Sequence, residues 1–125
     1  MEMNAVGWFE IPVTDMERAM KFYETVLDVK LERHDMGEFD MAWFPMLNGK
    51  GGASGSLVKG KEYEPSMHGT LVYFTSPSGD LQNELDKVES AGGKICTPKK
   101  PIGEWGHMAV INDTEGNAVA LHSMK

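Results

Sequence analysis

Apolar and polar positions alternate over residues 6–13 (VGWFEIPV), which predicts a β-strand. Thr14 or Asp15 then offers a helix N-cap ahead of an apolar stripe at Met16, Ala19, Met20, Phe22, Tyr23, Val26 and Leu27. The same order returns later in the chain. Residues 70–75 (TLVYFT) read as a strand, Ser78 or Asp80 as the cap of a helix bearing Leu81, Leu85, Val88 and Ala91, and Gly92-Gly93 as its end. Shorter strand-like pieces follow each helix, at 30–34, 39–47 and 53–59 and then at 94–97, 107–111 and 118–123. Each half therefore reads β-α-β-β-β. The expected organisation is one domain over 1–125, with module one at 1–59, a polar linker at 60–67 carrying Pro65, and module two at 68–125.

Alternation also sorts faces. On the first strand Phe9 and Ile11 belong under the helix, and Trp8 and Glu10 turn toward the opposite side. In the last hairpin, a turn over 112–117 that sets Ile111 opposite Ala118 places His107, Ala109, Ile111, Ala118, Ala120 and His122 on one face. Met108, Val110, Val119 and Leu121 then occupy the other, against the helices.

Composition narrows the function classes. The 125 residues suit a single core, and 14 glycines favour a turn-rich β structure over a helical bundle. The net charge of −7 divides almost evenly, −4 over residues 1–62 and −3 over 63–125. An acidic chain without a basic stripe is a poor partner for nucleic acid or for an anionic membrane. No apolar run is long enough to cross a bilayer. Cys96 stands alone, and the N-terminal residues lack the basic and apolar regions of a signal peptide, so a reducing cytoplasm is expected. The glycine-rich stretch 49–56 lacks the Walker spacing and reads as a turn entering an edge strand. Lys99-Lys100, between Pro98 and Pro101, reads as a solvated loop. Of the ten methionines, Met16, Met20 and Met108 are expected under helices, and Met36, Met41 and Met46 near a pocket.

The runs WFEIPVTDMERAMKFYETVLDVKLE and GTLVYFTSPSGDLQNELDKVESAGGKI, the latter followed by DTEGNAVALHS, resemble the two modules of the vicinal oxygen chelate superfamily. That group includes glyoxalase I, bleomycin-resistance proteins and extradiol dioxygenases. The resemblance implies an α+β fold in which two βαβββ modules form a cupped, partly open mixed sheet, helices on its convex side. It also implies an organic ligand in the concavity and frequent homodimers. Metal-using members carry His and Glu ligands on the inward faces of the first and last strands of each module. Those positions fall on Trp8, near Leu71, on Ala120, and on a strand whose polar side chains, short of its terminal Lys59, are Ser54 and Ser56. None suits a divalent cation, so no metal and no cofactor is expected.

The expected reading is a metal-independent small-molecule-binding protein whose pocket is lined by Trp8, Glu10, Trp43, Tyr73, Trp105, His107 and His122. Tryptophans supply flat apolar walls, and the carboxylate, phenol and imidazoles supply the few polar groups a pocket needs. Two other readings stand beside it. One is an enzyme with Glu10, Tyr73 or His122 in the chemistry, using either a non-standard metal site or Glu10 as general base. The other is a dimerisation module without ligand.

Overall fold

The computed structural model describes residues 4–125. Its first half contains strand β1 (Phe9–Pro12), helix α1 (Met16–Leu27) and strands β2 (Glu32–Asp35), β3 (Asp40–Trp43) and β4 (Gly55–Lys59). The second contains β5 (Tyr73–Thr75), α2 (Leu81–Val88), β6 (Lys94–Pro101), a single 3-10 turn (Gly103–Trp105), β7 (His107–Asn112) and β8 (Ala118–Ser123). The strands make two mixed four-stranded sheets with the same order, β1-β4-β3-β2 and β5-β8-β7-β6. In each, the first strand lies parallel to the last and the other neighbours are antiparallel.

Both helices start where a short carboxylate can satisfy an orphan amide. Asp15 accepts from Arg18 N at 3.1 Å and Asp80 from Gln82 N at 3.0 Å. The stripe Met16, Ala19, Phe22, Tyr23, Val26 and Leu27 is buried against Ile11, Ala42 and Leu57, while Leu81, Leu85 and Val88 pack with Ala109, Ile111, Val119 and Leu121. One core joins the modules, with Phe9, Tyr23 and Phe44 each within 5.7 Å of Phe74 by ring centroid. At about 1.5–3 kcal/mol per large apolar side chain, burial of these two stripes is the main reason the helices persist.

Three expectations change. The glycine-rich turn leads into β4, which is interior to its sheet and not an edge strand. Lys99 and Lys100 belong to edge strand β6, whose register slips twice around Pro98. Lys99 reaches Asp80 at 2.9 Å and holds that carboxyl below its ordinary range.

The third change is in the last hairpin. Asn112 is still in β7 and pairs with Ala118, so Ala109 faces Leu121 and Met108 faces His122. Asp113 Oδ1 accepts from the amides of Glu115 and Asn117, both at 2.8 Å, and Asp113 N donates to Asn117 O at 3.0 Å. The Asp113 side chain thus closes a turn one residue shorter than expected. With a side-chain period of two, a one-residue shift exchanges the faces of β7 relative to β8. His107, Ala109 and Ile111 therefore join Val119 and Leu121 on the helix side. Met108 and Val110 lie with Ala118, Ala120 and His122 on the other side, so Met108 is not beneath a helix.

This turn also locks the start of α1. Glu115 accepts from Thr14 N (2.9 Å), Asp15 N (2.8 Å) and the Arg18 guanidinium (2.7 Å). Burial opposes its charge, but Arg18, the two amides and the Thr114 hydroxyl outweigh it and lower its pKa to about 2. A carboxyl with a depressed folded-state pKa stabilises the fold above its unfolded value and loses that stabilisation as pH falls toward the folded one. Stability should therefore decline from about pH 4.5 down to about pH 2 with an increment of order 2–3 kcal/mol from this group. Urea denaturation of wild type and Glu115→Gln should show the gap between them closing over that window. A gap independent of pH would remove Glu115 from the acid response.

Candidate functional site: a cleft between the modules

Alternation along β1 sends Phe9 and Ile11 toward the core and leaves Trp8 and Glu10 on the helix-free side. There they border an open cleft of about 670 Å³ between the modules. Tyr73 and Leu71 line it from the second module, and Ala118 and Asn117 come from β8 and the turn before it. Glu64 and Ser66 from the linker, with His68 just after it, complete the wall. Asn117 holds these pieces together, because its Nδ2 donates to Pro12 O at 2.7 Å and its Oδ1 accepts from Ser66 N at 3.0 Å. Ser66 Oγ in turn accepts from His68 N and donates to His68 O, both at 2.9 Å.

Three of the seven expected pocket residues, Trp8, Glu10 and Tyr73, meet at this cleft. Trp43 reaches it only through Trp8, with centroids 5.6 Å apart at 78°. His122 lies on the same sheet face, outside the lining, and its Nε2 is 2.7 Å from the Trp105 carbonyl. A carbonyl only accepts, so Nε2 carries the proton. Trp105 is largely exposed on the 3-10 turn. His107 is the clear departure: it pairs with Ser123 on the helix side and so does not lie beside His122, and its Nδ1 is buried without a partner. Met41 is buried on the helix-free face of β3, whereas Met36 and Met46 are exposed away from the cleft.

The Glu10 carboxylate beside Tyr63 holds that phenol above its ordinary pKa. Beside Glu10 in the parallel ladder stands Ser56, fully buried on the same face with no hydrogen-bond partner for its hydroxyl. The next strand carries Trp43, whose ring stacks on His34 at 4.0 Å and whose Nε1 is likewise buried and unpartnered.

A Pro-containing polar stretch between modules reads as a connection, so its pattern does not place Glu64, Ser66 and His68 at a site. The available signal was the polar residue at every second position, Glu64, Ser66 and His68, as in a strand with one polar face.

In the parallel ladders Glu10 stands beside Ser56 and Tyr73 beside Ala120, and Val13 N donates to Val58 O as Ser76 N does to His122 O, so Tyr73 is the second-module counterpart of Glu10. Two residues earlier, Leu71 is likewise the counterpart of Trp8. At the positions where metal-using members of the resembled superfamily carry ligands, this chain offers an indole, an isobutyl group, a serine hydroxyl and a methyl. These do not fit a divalent cation. Among the described residues, no group of three or more His, Cys, Asp and Glu side chains is placed to hold a metal.

The model of the Glyoxalase/Bleomycin resistance protein/Dioxygenase superfamily matches residues 5–121. CFP32 of Mycobacterium tuberculosis, provisionally named a glyoxylase, is 28% identical over 121 residues, which cover 92% of this chain and 44% of that protein. The chain thus spans less than half the length of this relative. Glyoxalase I from Zea mays superposes with a TM-score of 0.69 at 22% identity, covering 94% of this chain and 45% of the maize chain. TnmS3, an antibiotic-binding protein from Streptomyces sp. CB03234, superposes with a TM-score of 0.65 at 21% identity, covering 98% of both chains. At these identities the two structures establish the shared fold, and the match over residues 5–121 establishes the family: the chain belongs to the glyoxalase/bleomycin resistance protein/dioxygenase superfamily.

Proposed function

We propose that this protein binds a small organic molecule in the cleft between its modules, without a metal ion. The observation that carries this reading is a 670 Å³ cleft walled by Trp8 and Tyr73, with Glu10 on its lining. That volume and that mixture of flat apolar walls with few polar groups suit a drug-sized ligand. The likeness to an antibiotic-binding protein over nearly the whole of both chains supports the same reading. The protein is further read as a homodimer of a reducing cytoplasm, in keeping with a single cysteine and a family in which dimers are frequent.

Specific binding raises apparent stability by mass action. A thermal-shift screen of small aromatic compounds should give hits that survive EDTA treatment of the protein. Trp8→Ala should weaken them about ten-fold, the scale of one lost aromatic contact. Hits that vanish with EDTA would overturn the metal-free part, and hits indifferent to Trp8→Ala would move the site elsewhere.

A second reading, catalysis with Glu10 as general base, is favoured by the exposure of this carboxylate to the cleft within reach of a phenol. Turnover of a bound compound, lost in Glu10→Gln with binding retained, would establish it.

A further inference from the structure

The cleft is chemically one-sided. Its lining holds two carboxylates, Glu10 and Glu64, and no lysine or arginine among the described residues. Neither carboxylate forms an ion pair with a described residue, in contrast to Glu115 with Arg18, Asp40 with Arg33 and Asp80 with Lys99. Tyr63, whose phenol Glu10 holds above its ordinary pKa, brings no positive charge. The other titratable groups on the lining are His68 and Tyr73. On the same face the buried Ser56 hydroxyl, next to Glu10 in the ladder, has no partner.

Resting on the cleft reading above, we propose that the ligand is an organic cation: a protonated amine or guanidinium carried on an aromatic or similarly flat body. Two carboxylates bordering one cavity without a counter-charge repel each other and attract a cation, and they raise the cost of admitting an anion. Indole and phenol faces add cation–π attraction that water does not match. Ring-stacking on Trp8 and Tyr73 would hold the flat body, and Glu10 and Glu64 would accept N–H bonds from the charged head, as charge-assisted hydrogen bonds require. The net charge of −7 adds long-range attraction of the same sign.

The test uses three probes with one ring system: tryptamine as cation, tryptophol as neutral analogue and indole-3-acetate as anion. Isothermal titration of the full chain should find tryptamine bound at least about ten-fold more tightly than indole-3-acetate, with an affinity that falls as salt is raised. Glu10→Gln and Glu64→Gln together should weaken tryptamine about ten-fold or more and leave tryptophol within about two-fold. Both side chains belong to exposed residues, so the variant should fold, and an unchanged Tm verifies it. Equal or tighter binding of indole-3-acetate, or tryptamine binding indifferent to both substitutions, overturns the proposal. So does failure of all three probes to bind at about 5 mM. If the three bind alike and all are lost in Trp8→Ala, charge selection fails and the cleft reading survives. The cleft reading falls only if the wider aromatic panel also yields no hit sensitive to Trp8.

Discussion

Replacing Asp113 with alanine should cost about 3–5 kcal/mol of folding stability, the largest loss expected from a single polar side chain here. Its carboxylate is buried and accepts from Tyr23 OH at 2.7 Å, from Asn117 Nδ2 at 2.8 Å and from the amides of Glu115 and Asn117. Removing it strands four donors, two of them backbone. Tyr23 is completely buried, and its hydroxyl is pushed well above the phenol range by that burial and by the Asp113 charge beside it. Water cannot easily replace the lost acceptor. Tyr23→Phe removes one donor and leaves Asp113 with its other partners, so about 1–2 kcal/mol is expected there. Chemical denaturation of both variants checks the ordering. A loss below about 1 kcal/mol for Asp113→Ala would mean that the turn closes without its side chain. Because Asn117 ties the turn to Pro12 and to the linker, the variant should also bind cleft ligands less tightly.

Gly55→Ala should cost about 2–4 kcal/mol, by overpacking rather than by loss of a bond. A Cβ at Gly55 would stand 2.4 Å from the Phe9 carbonyl and 2.5 Å from the Phe9 ring. Gly55 is the ladder partner of Phe9, so the methyl pushes β1 away from β4 along the strand that presents Trp8 and Glu10. Stability and ligand affinity should therefore fall together. Gly7→Ala is the control: a Cβ there meets nothing within 4 Å, and its effect should stay within about 0.5 kcal/mol. A Gly55→Ala variant as stable as Gly7→Ala would show that β1 can yield at little cost.

The two changes act where local pattern stops being informative. Helix existence was legible because a carboxylate cap followed by a 3.6-residue apolar stripe needs no partner to be recognised, and Asp15 and Asp80 cap as expected. The faces of β1 and β8 were legible from alternation. Those of β7 were not, since which residue opposes which depends on how the Asp113 carboxylate folds the turn. Alternation alone therefore puts His107 on the wrong side. The cleft was half legible. Glu10 and Tyr73 belong to strands whose alternation exposes them and Trp8 directly precedes one, whereas Glu64, Ser66 and His68 come from the linker and the residue after it, whose course over the site is set by Asn117, far away in sequence.

The amino-acid sequence by itself determined the duplication, the two capped helices and the absence of metal-type ligands at the four superfamily positions, because each is written in local periodicity and residue chemistry. Tertiary structure alone decided the hairpin register, the place of Lys99 in a strand against Asp80, and the union of β1, β5 and linker around one acidic cleft. Those depend on contacts between residues distant in the chain, and one residue of register or one side-chain hydrogen bond is enough to change them.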